Sequence, residues 1–345
     1  MGQEVCYDGP PFLVWEIRMP KIHEIFLNHV FYLYPSVATA ESNEHIGASG
    51  FMVGIHSSDI DYHHVYAVTN SHVIRQGGAT VMRINPGIDA SEDTGNFKIL
   101  ETEPNNWFHH PDGDDIAVCP LDPSFGVWYI PASIFISEEL VERMKIGPGD
   151  DVFMVGRFTG YDGRSKNLPT VRFGNISKMP YEPIYQPQRG ISQESFLVEM
   201  RSVSGYSGSP VIVRITPFYR NLEDSVKKDY GDHLLGVDWG HVYAYEAIRD
   251  LDDKKHPDGW RVRSNSNMTA VVPAWKLREL LDIEELVIAR EETEKQLMAE
   301  KSRPQTGVEM DFAEIEGEVL TKETFEDVLR KVTRPLKDDT KENKE

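Results

Sequence analysis

Cysteine is scarce: the 345 residues contain only Cys6 and Cys119. They form no C-x-x-C pair and could make one bridge at most, which excludes a disulfide-stapled scaffold and points to a reducing compartment. Cations are also in short supply. Lys and Arg number 36 against 56 Asp and Glu, a net charge of −20 with no long basic run, so nucleic acid is the least expected partner because phosphate contacts need clustered cations. The first thirty residues carry Glu4, Asp8, Glu16 and Glu24 without an uninterrupted apolar stretch. No secretory signal is readable there, and a cytoplasmic protein away from the membrane is expected. Gly2 is followed by Cys6 where a myristoylation signal wants Ser or Thr, so lipid anchoring is not indicated. Metal motifs are missing too. The twelve histidines include the pairs His63-His64 and His109-His110 but no H-E-x-x-H and no Cys/His ligand spacing; they read as polar loop residues, and no metal or cofactor is expected.

What is present is β texture. Short apolar runs rich in Val, Ile, Phe and Tyr occur at Ile25–Tyr34, Gly50–Ile55, Val65–Thr69, Thr80–Ile84, Phe97–Leu100 and Ile116–Pro120, separated by turn pairs such as Gly77-Gly78 and Asp112-Gly113. Strands at this spacing without helical patterns between them predict an antiparallel all-β unit. Ser137-Glu138-Glu139-Leu140 reads as a helix N-terminus and Gly147-Pro148-Gly149 as its stop, which marks a joint. A second β unit follows, with runs at Asp151–Gly156, Thr170–Ser177, Ser195–Met200, Pro210–Ile215, His233–Asp238 and His241–Tyr245. Pro217–Asp232 and Glu246–Asn267 read as surface loops.

The expected organisation is therefore an N-terminal extension over 1–24, a first β-barrel over 25–136, a linker over 137–150, a second barrel over 151–272, a C-terminal helix over 273–301 and an acidic tail over 302–345. In the tail, Phe325, Val328, Leu329 and Val332 fall at i, i+3, i+4 and i+7, a short amphipathic helix near 321–333 that is a candidate protein-docking segment on an otherwise disordered stretch.

Three segments carry chemistry when taken together: Thr69-Asn70-Ser71-His72-Val73, Asp114-Asp115-Ile116-Ala117-Val118 and Gly205-Tyr206-Ser207-Gly208-Ser209-Pro210. Nucleophilic catalysis by serine needs a hydroxyl, a base near neutral pKa to take its proton, and a carboxylate to hold that base. It also needs donors aimed at the developing oxyanion, which a glycine-flanked turn supplies through backbone N–H groups. The order His, Asp, Ser puts two members in the first β unit and one in the second. An α/β-hydrolase elbow requires G-x-S-x-G and the order Ser, acid, His; Ser209 and the observed order both disagree. The similar Gly47–Gly50 segment, with Ser49 inside an apparent strand, reads as structural.

These blocks resemble those of trypsin-like serine peptidases, above all the bacterial high-temperature-requirement branch, over about residues 40–290. Gly47–Phe51 is similar to the family's opening strand and Gly236-Val237-Asp238-Trp239-Gly240 to its cleft-lining strand. The resemblance implies the chymotrypsin fold, all-β with two six-stranded antiparallel Greek-key barrels and a closing helix, here without a PDZ module. It implies His72 as general base, Asp115 as its orienting carboxylate with Asp114 as competitor, Ser207 as nucleophile, and the Gly205 and Ser207 amides as the oxyanion hole. Tyr206 stands where trypsins carry the Asp that pairs with a freed N-terminus, so activation by propeptide cleavage is not implied.

The same resemblance makes Arg201, six residues before Ser207, a candidate floor of the primary specificity pocket. A guanidinium there would favour cleavage after Glu or Asp; the competing reading is that Arg201 pairs with Glu199 or faces solvent. Trp239 and Gly240 are candidate substrate-binding positions that pair with an extended peptide, against the reading that Trp239 is core. The expected function is a serine endopeptidase acting on proteins or peptides. The alternative is a catalytically idle or latent peptide-binding scaffold on the same fold.

Overall fold

The protein is described from a computed structural model covering residues 22–301, apart from residues 45, 88–96, 187–188, 203, 217–227, 251–252 and 256–257. The tail over 302–345, with its expected helix near 321–333, lies outside the described residues, as do residues 1–21 with Cys6.

The first unit holds strands β1 (Val30–Tyr34), β2 (Ala48–Ser57), β3 (Tyr62–Thr69), β4 (Val81–Ile84), β5 (Lys98–Glu101), β6 (Phe108–His109), β7 (Ala117–Leu121) and β8 (Ile130–Pro131). They form one sheet in the order β5-β4-β1-β2-β3-β7-β6, with β8 added in parallel on β2. Its centre is buried on both faces: β1 is buried along its whole length and β2 over its first seven residues. Such double burial produces continuous apolar runs instead of alternation, which is why these strands are conspicuous in the sequence. Edge strands β5 and β6 are short and only partly covered, and among the described residues they do not bond to each other, so this unit is a half-barrel and not the closed six-stranded barrel expected. Helix α1 (Ile25–Asn28) occupies the start of the segment expected to be strand, and α2 (Val37–Ser42) follows β1 with Ser36 and Thr39 forming a capping box. Helix α3 (Ser71–Arg75) follows β3 directly.

Helix α4 (Glu138–Met144) leads to the second unit, and the Ser137 hydroxyl accepts from the Leu140 amide at its N-terminus. Strands β9 (Asp151–Gly156), β10 (Thr170–Lys178), β13 (Phe196–Glu199), β14 (Pro210–Ile215), β15 (Gly231–Ala247) and β16 (Arg261–Pro273) close into a six-stranded barrel in the order β10-β13-β16-β15-β14-β9. A separate hairpin, β11 (Ile184–Gln186) with β12 (Ile191–Gln193), stands apart from it. One closed barrel and one half-barrel sheet, followed by a C-terminal helical element, make up an all-β architecture consistent with the chymotrypsin-like two-barrel fold.

Glu246–Asn267 is not simply a loop. The β15–β16 ladder runs from Gly236↔Pro273 out to Ala247↔Arg261, and its outer half is a two-stranded ribbon with no buried face. Tyr245, Val262 and Trp260 are exposed there, so no apolar periodicity announced it.

Helix α5 (Ala274–Leu281) buries Leu277, Leu280 and Leu281, and α6 (Glu284–Lys301) buries Leu286. From α6, Arg290 donates to the Tyr66 hydroxyl at 3.1 Å and Glu294 accepts from His64 at 2.9 Å, so the end of the described chain is tied to the first unit. Arg157 and Arg83, both fully buried, also join the units. Arg157 donates to the carbonyls of Ile46 (2.5 Å) and Glu44 (2.6 Å), pairs with Asp162 and lies 4.3 Å over the Tyr34 ring. Arg83 donates to Arg164 O at 2.6 Å. A buried guanidinium persists where its charge and donors are met by acceptors, as the carbonyl and carboxylate partners of Arg157 do. Among the described residues no helix is long and apolar enough to cross a membrane.

Candidate active site

His72 sits in the first turn of α3, where Asn70 in extended conformation ends β3 and starts the helix. Asp115 lies two residues before the start of β7, and β3 and β7 are paired, Thr69 opposite Ala117. That pairing carries the two residues side by side. The His72 amide donates to Asp115 Oδ1 at 2.8 Å, and ring Nδ1 lies 2.7 Å from Asp115 Oδ2. An ionised carboxylate can only accept, so Nδ1 carries a proton, and Nε2 is the nitrogen left bare in the tautomer this bond selects. Burial would raise the Asp115 pKa, but the hydrogen bonds and charge of His72, joined by the Arg189 guanidinium, outweigh it and hold the carboxyl below its ordinary range. Asp114, the competitor, faces His110 at 3.4 Å instead.

The backbone around Asp115 is pinned from two sides. Asn70 Nδ2 donates to the Asp115 carbonyl at 2.9 Å, and the Asp115 amide donates to Gln193 Oε1 at 2.7 Å. Gln193 belongs to β12, and the turn of the same hairpin carries Arg189. Its Nη1 contacts Asp115 Oδ2 and reaches Trp239 O at 3.3 Å, with the guanidinium 5.9 Å from the Trp239 ring centroid. Neither residue is singled out by sequence reasoning. The only sequence signal is the alternation Ile184-Tyr185-Gln186 and Ile191-Ser192-Gln193 around Gly190, which the prolines of the segment obscure.

Ser207 lies in the turn before β14 and is half-buried. Gly205 (φ +102°) and Gly208 (φ +86°) are both in the region that favours glycine. A Cβ on Gly208 would also meet Ser49 O at 2.2 Å and Thr69 Oγ1 at 2.3 Å. The turn is locked to the first unit through Ser49: its amide donates to Ser207 O (2.9 Å), its hydroxyl donates to Gly205 O (2.7 Å), and that hydroxyl accepts from the Arg157 amide (2.8 Å). On the other side the Gly208 amide donates to Asp238 O at 2.8 Å, and the Asp238 amide donates to Ser209 O at 2.9 Å. Among the described residues the Gly205 and Ser207 amides donate to no protein acceptor, the condition required of an oxyanion hole. Among the same residues no hydrogen bond joins Ser207 Oγ to His72.

Tyr206 is fully buried, its hydroxyl bonded to Thr170 and accepting from Arg172 at 3.1 Å. Asp238 is fully buried as well, bonded to Ser202 (3.3 Å) and Thr269. Burial pushes its pKa up to about 7, opposed by the hydrogen bonds of Thr269, Gly240 and Ser202 and by Arg189.

The substrate-binding candidates fall in different environments. Trp239 is buried, occupies a bulge of β15 against β16, and donates through Nε1 to Ser195 Oγ at 2.9 Å, so its ring is core covered by Arg189. Gly240 (φ +143°) completes that bulge and is partly exposed. Arg201 is exposed and, among the described residues, has no ion pair with Glu199. The expectation of polar loop histidines fails for His64, buried in β3, and His110, buried behind the Asp112–Gly113 turn. Of the two cysteines, Cys119 is free and buried.

No protein-family model matches the chain, and no curated protein matches it in sequence. Among solved structures it is similar to one titled "Crystal structure of Rv3671c protease, inactive form", at 16% identity over 74% of this chain and 87% of that one, with a TM-score of 0.37. A serine-to-alanine mutant of Rv3671c from M. tuberculosis H37Rv, also titled an inactive form, is similar at 14% identity over 73% and 84%, again with a TM-score of 0.37. Likeness at this level carries no part of the functional reading, which rests on the side-chain geometry.

Proposed function

We propose that this chain is a serine endopeptidase in which Ser207, His72 and Asp115 act as nucleophile, base and orienting acid. The observation that carries the reading is the doubly bonded His72–Asp115 pair, in a molecule whose glycine-flanked Ser207 turn holds two amides, those of Gly205 and Ser207, without a protein acceptor among the described residues. Ser207 Oγ attacks the scissile carbonyl carbon as its proton passes to His72 Nε2. The oxyanion is met by the Gly205 and Ser207 amides, and the imidazolium is stabilised by Asp115. The proton then moves to the leaving amine, an acyl-enzyme remains on Ser207, and water activated by His72 releases the acid. A Ser–His bond that is long in the free enzyme and tightens with substrate is common. The motif style of the high-temperature-requirement branch belongs to the same proposal.

Preference for acidic residues is its finer part, supported by an exposed Arg201 guanidinium free to meet a carboxylate. One observation favours a second reading, a latent form of the same enzyme: Arg189 spans Asp115 and the Trp239 carbonyl, so its guanidinium reaches a backbone acceptor of the strand expected to receive peptide. Reaction with an activated ester tests both. Burst release of the alcohol with acyl-Ser207 detected by intact mass supports the enzyme, a burst seen only after the hairpin is loosened by Arg189→Gln supports latency, and no burst in either protein contradicts both.

A further inference from the structure

Behind the turn that leads into Asp115, the ring of His110 is completely buried, yet among the described residues neither ring nitrogen has a hydrogen bond. A buried imidazole without a hydrogen bond costs free energy, and this one is faced by carboxylates on both sides. Nδ1 lies 3.4 Å from Asp114 Oδ2, and Nε2 lies 3.3 Å from Glu279 Oε2. Asp112 supplies a third donor: ligand atoms of His110, Asp112 and Glu279 all lie within 4.8 Å of one another.

We propose that His110, Asp112 and Glu279 form a binding site for a divalent first-row transition ion of the zinc type. Tetrahedral bonds of about 2.0–2.2 Å place two ligand atoms roughly 3.3–3.5 Å apart, the separation found between His110 and Glu279 although those atoms share no hydrogen bond. Asp114 stands 3.4 Å from the far nitrogen, Nδ1, on the side from which a carboxylate commonly orients a metal-binding ring. One imidazole and two carboxylates suit zinc-like ions better than thiophilic or all-oxygen-seeking ones. Lys276 is the resident competitor, 2.9 Å from Glu279 Oε2, so entry of the ion exchanges that contact for two carboxylates and an imidazole.

The site has a structural consequence whatever the chain's reaction. Asp112 and His110 belong to the turn continuous with Asp115, closed by Gly113 N to His110 O at 3.1 Å, whereas Glu279 belongs to α5. A bound ion clamps that turn to the C-terminal helix.

Titration of the chelator-stripped full chain with zinc, read by calorimetry, and with cobalt, read by its visible bands, tests the proposal without reference to activity. One equivalent should bind, with the dissociation constant raised about tenfold or more in Glu279→Gln and in Asp112→Asn, both exposed positions, and lowered severalfold in Lys276→Met. Absence of binding overturns the site. So does binding that ignores all three substitutions, which would move the ion to other histidines such as His56 and His63, whose rings lie 4.7 Å apart.

Discussion

Asp115 and Asp238 are both buried acids beside Arg189, and their ionisation is opposite. Asp115 is held below the ordinary carboxylate range, whereas Asp238 is pushed up to about 7. Burial acts on both in the same direction, so the partners decide: Asp115 meets an imidazole and a guanidinium directly, and Asp238 is bonded to the hydroxyls of Ser202 and Thr269. The charge needed to hold His72 is concentrated on one acid, while burial disfavours charge on the acid of the β15 strand. Its elevated value comes from desolvation.

The largest expected effect separates the two directly. Asp115→Asn should lower kcat by about 10^4-fold, because the amide stabilises the wrong imidazole tautomer, while Asp238→Asn should leave kcat within a fewfold at neutral pH; equal losses in steady-state assays would break the distinction. Stability comes next. A folded-state pKa of about 7 means that the folded protein holds its Asp238 proton more tightly than the unfolded chain, so the stabilisation is complete at low pH and is lost as pH rises from about 4 to about 7. The loss should amount to roughly 4 kcal/mol, and urea denaturation of Asp238→Asn should show it removed.

Arg189→Gln should act on the other acid. Without the guanidinium the Asp115 pKa rises, so stability that is present above the carboxylate range is lost at higher pH on acidification, and the neutral-pH cost should be about 1–3 kcal/mol. An unshifted acid-unfolding midpoint would place the charge control elsewhere. Ser49→Ala leaves Gly205 O and the Arg157 amide without their shared hydroxyl, costing a similar 1–3 kcal/mol, and kcat should fall without a matching change in KM as the oxyanion turn loosens. The smallest effect belongs to the exposed cation: Arg201→Ala should raise KM for acidic peptides by about fivefold, the scale of one solvent-exposed ion pair, and a peptide library showing unchanged preference would remove Arg201 from specificity.

The comparison also separates what was legible in sequence from what was not. Thr69–Val73 and Asp114–Val118 announce themselves because residue type, order and flanking apolar strands all agree, and β3–β7 pairing brings His72 and Asp115 together. Most strands of both units coincide with apolar runs for the same reason of burial. The hairpin carrying Arg189 and Gln193 is illegible in the sequence, since its strands are three residues long, Pro183 and Pro187 flank the first of them, and its contacts to Asp115 span 74 and 78 residues of chain. Ser49 looked structural and is so, but its three hydrogen bonds to the Ser207 turn and to Arg157 exist only once the units are docked. The buried setting of His110 was hidden because a histidine pair in a polar turn has the composition of a surface loop.

The central claim is that His72, held by Asp115, activates Ser207. Labelling with a fluorophosphonate probe, mapped by peptide mass spectrometry on wild type, His72→Ala and Ser207→Ala, tests it most directly. The predicted result is modification of Ser207 alone in wild type and none in either variant; a folded wild-type protein that stays unlabelled, or that labels equally well without His72, would contradict it.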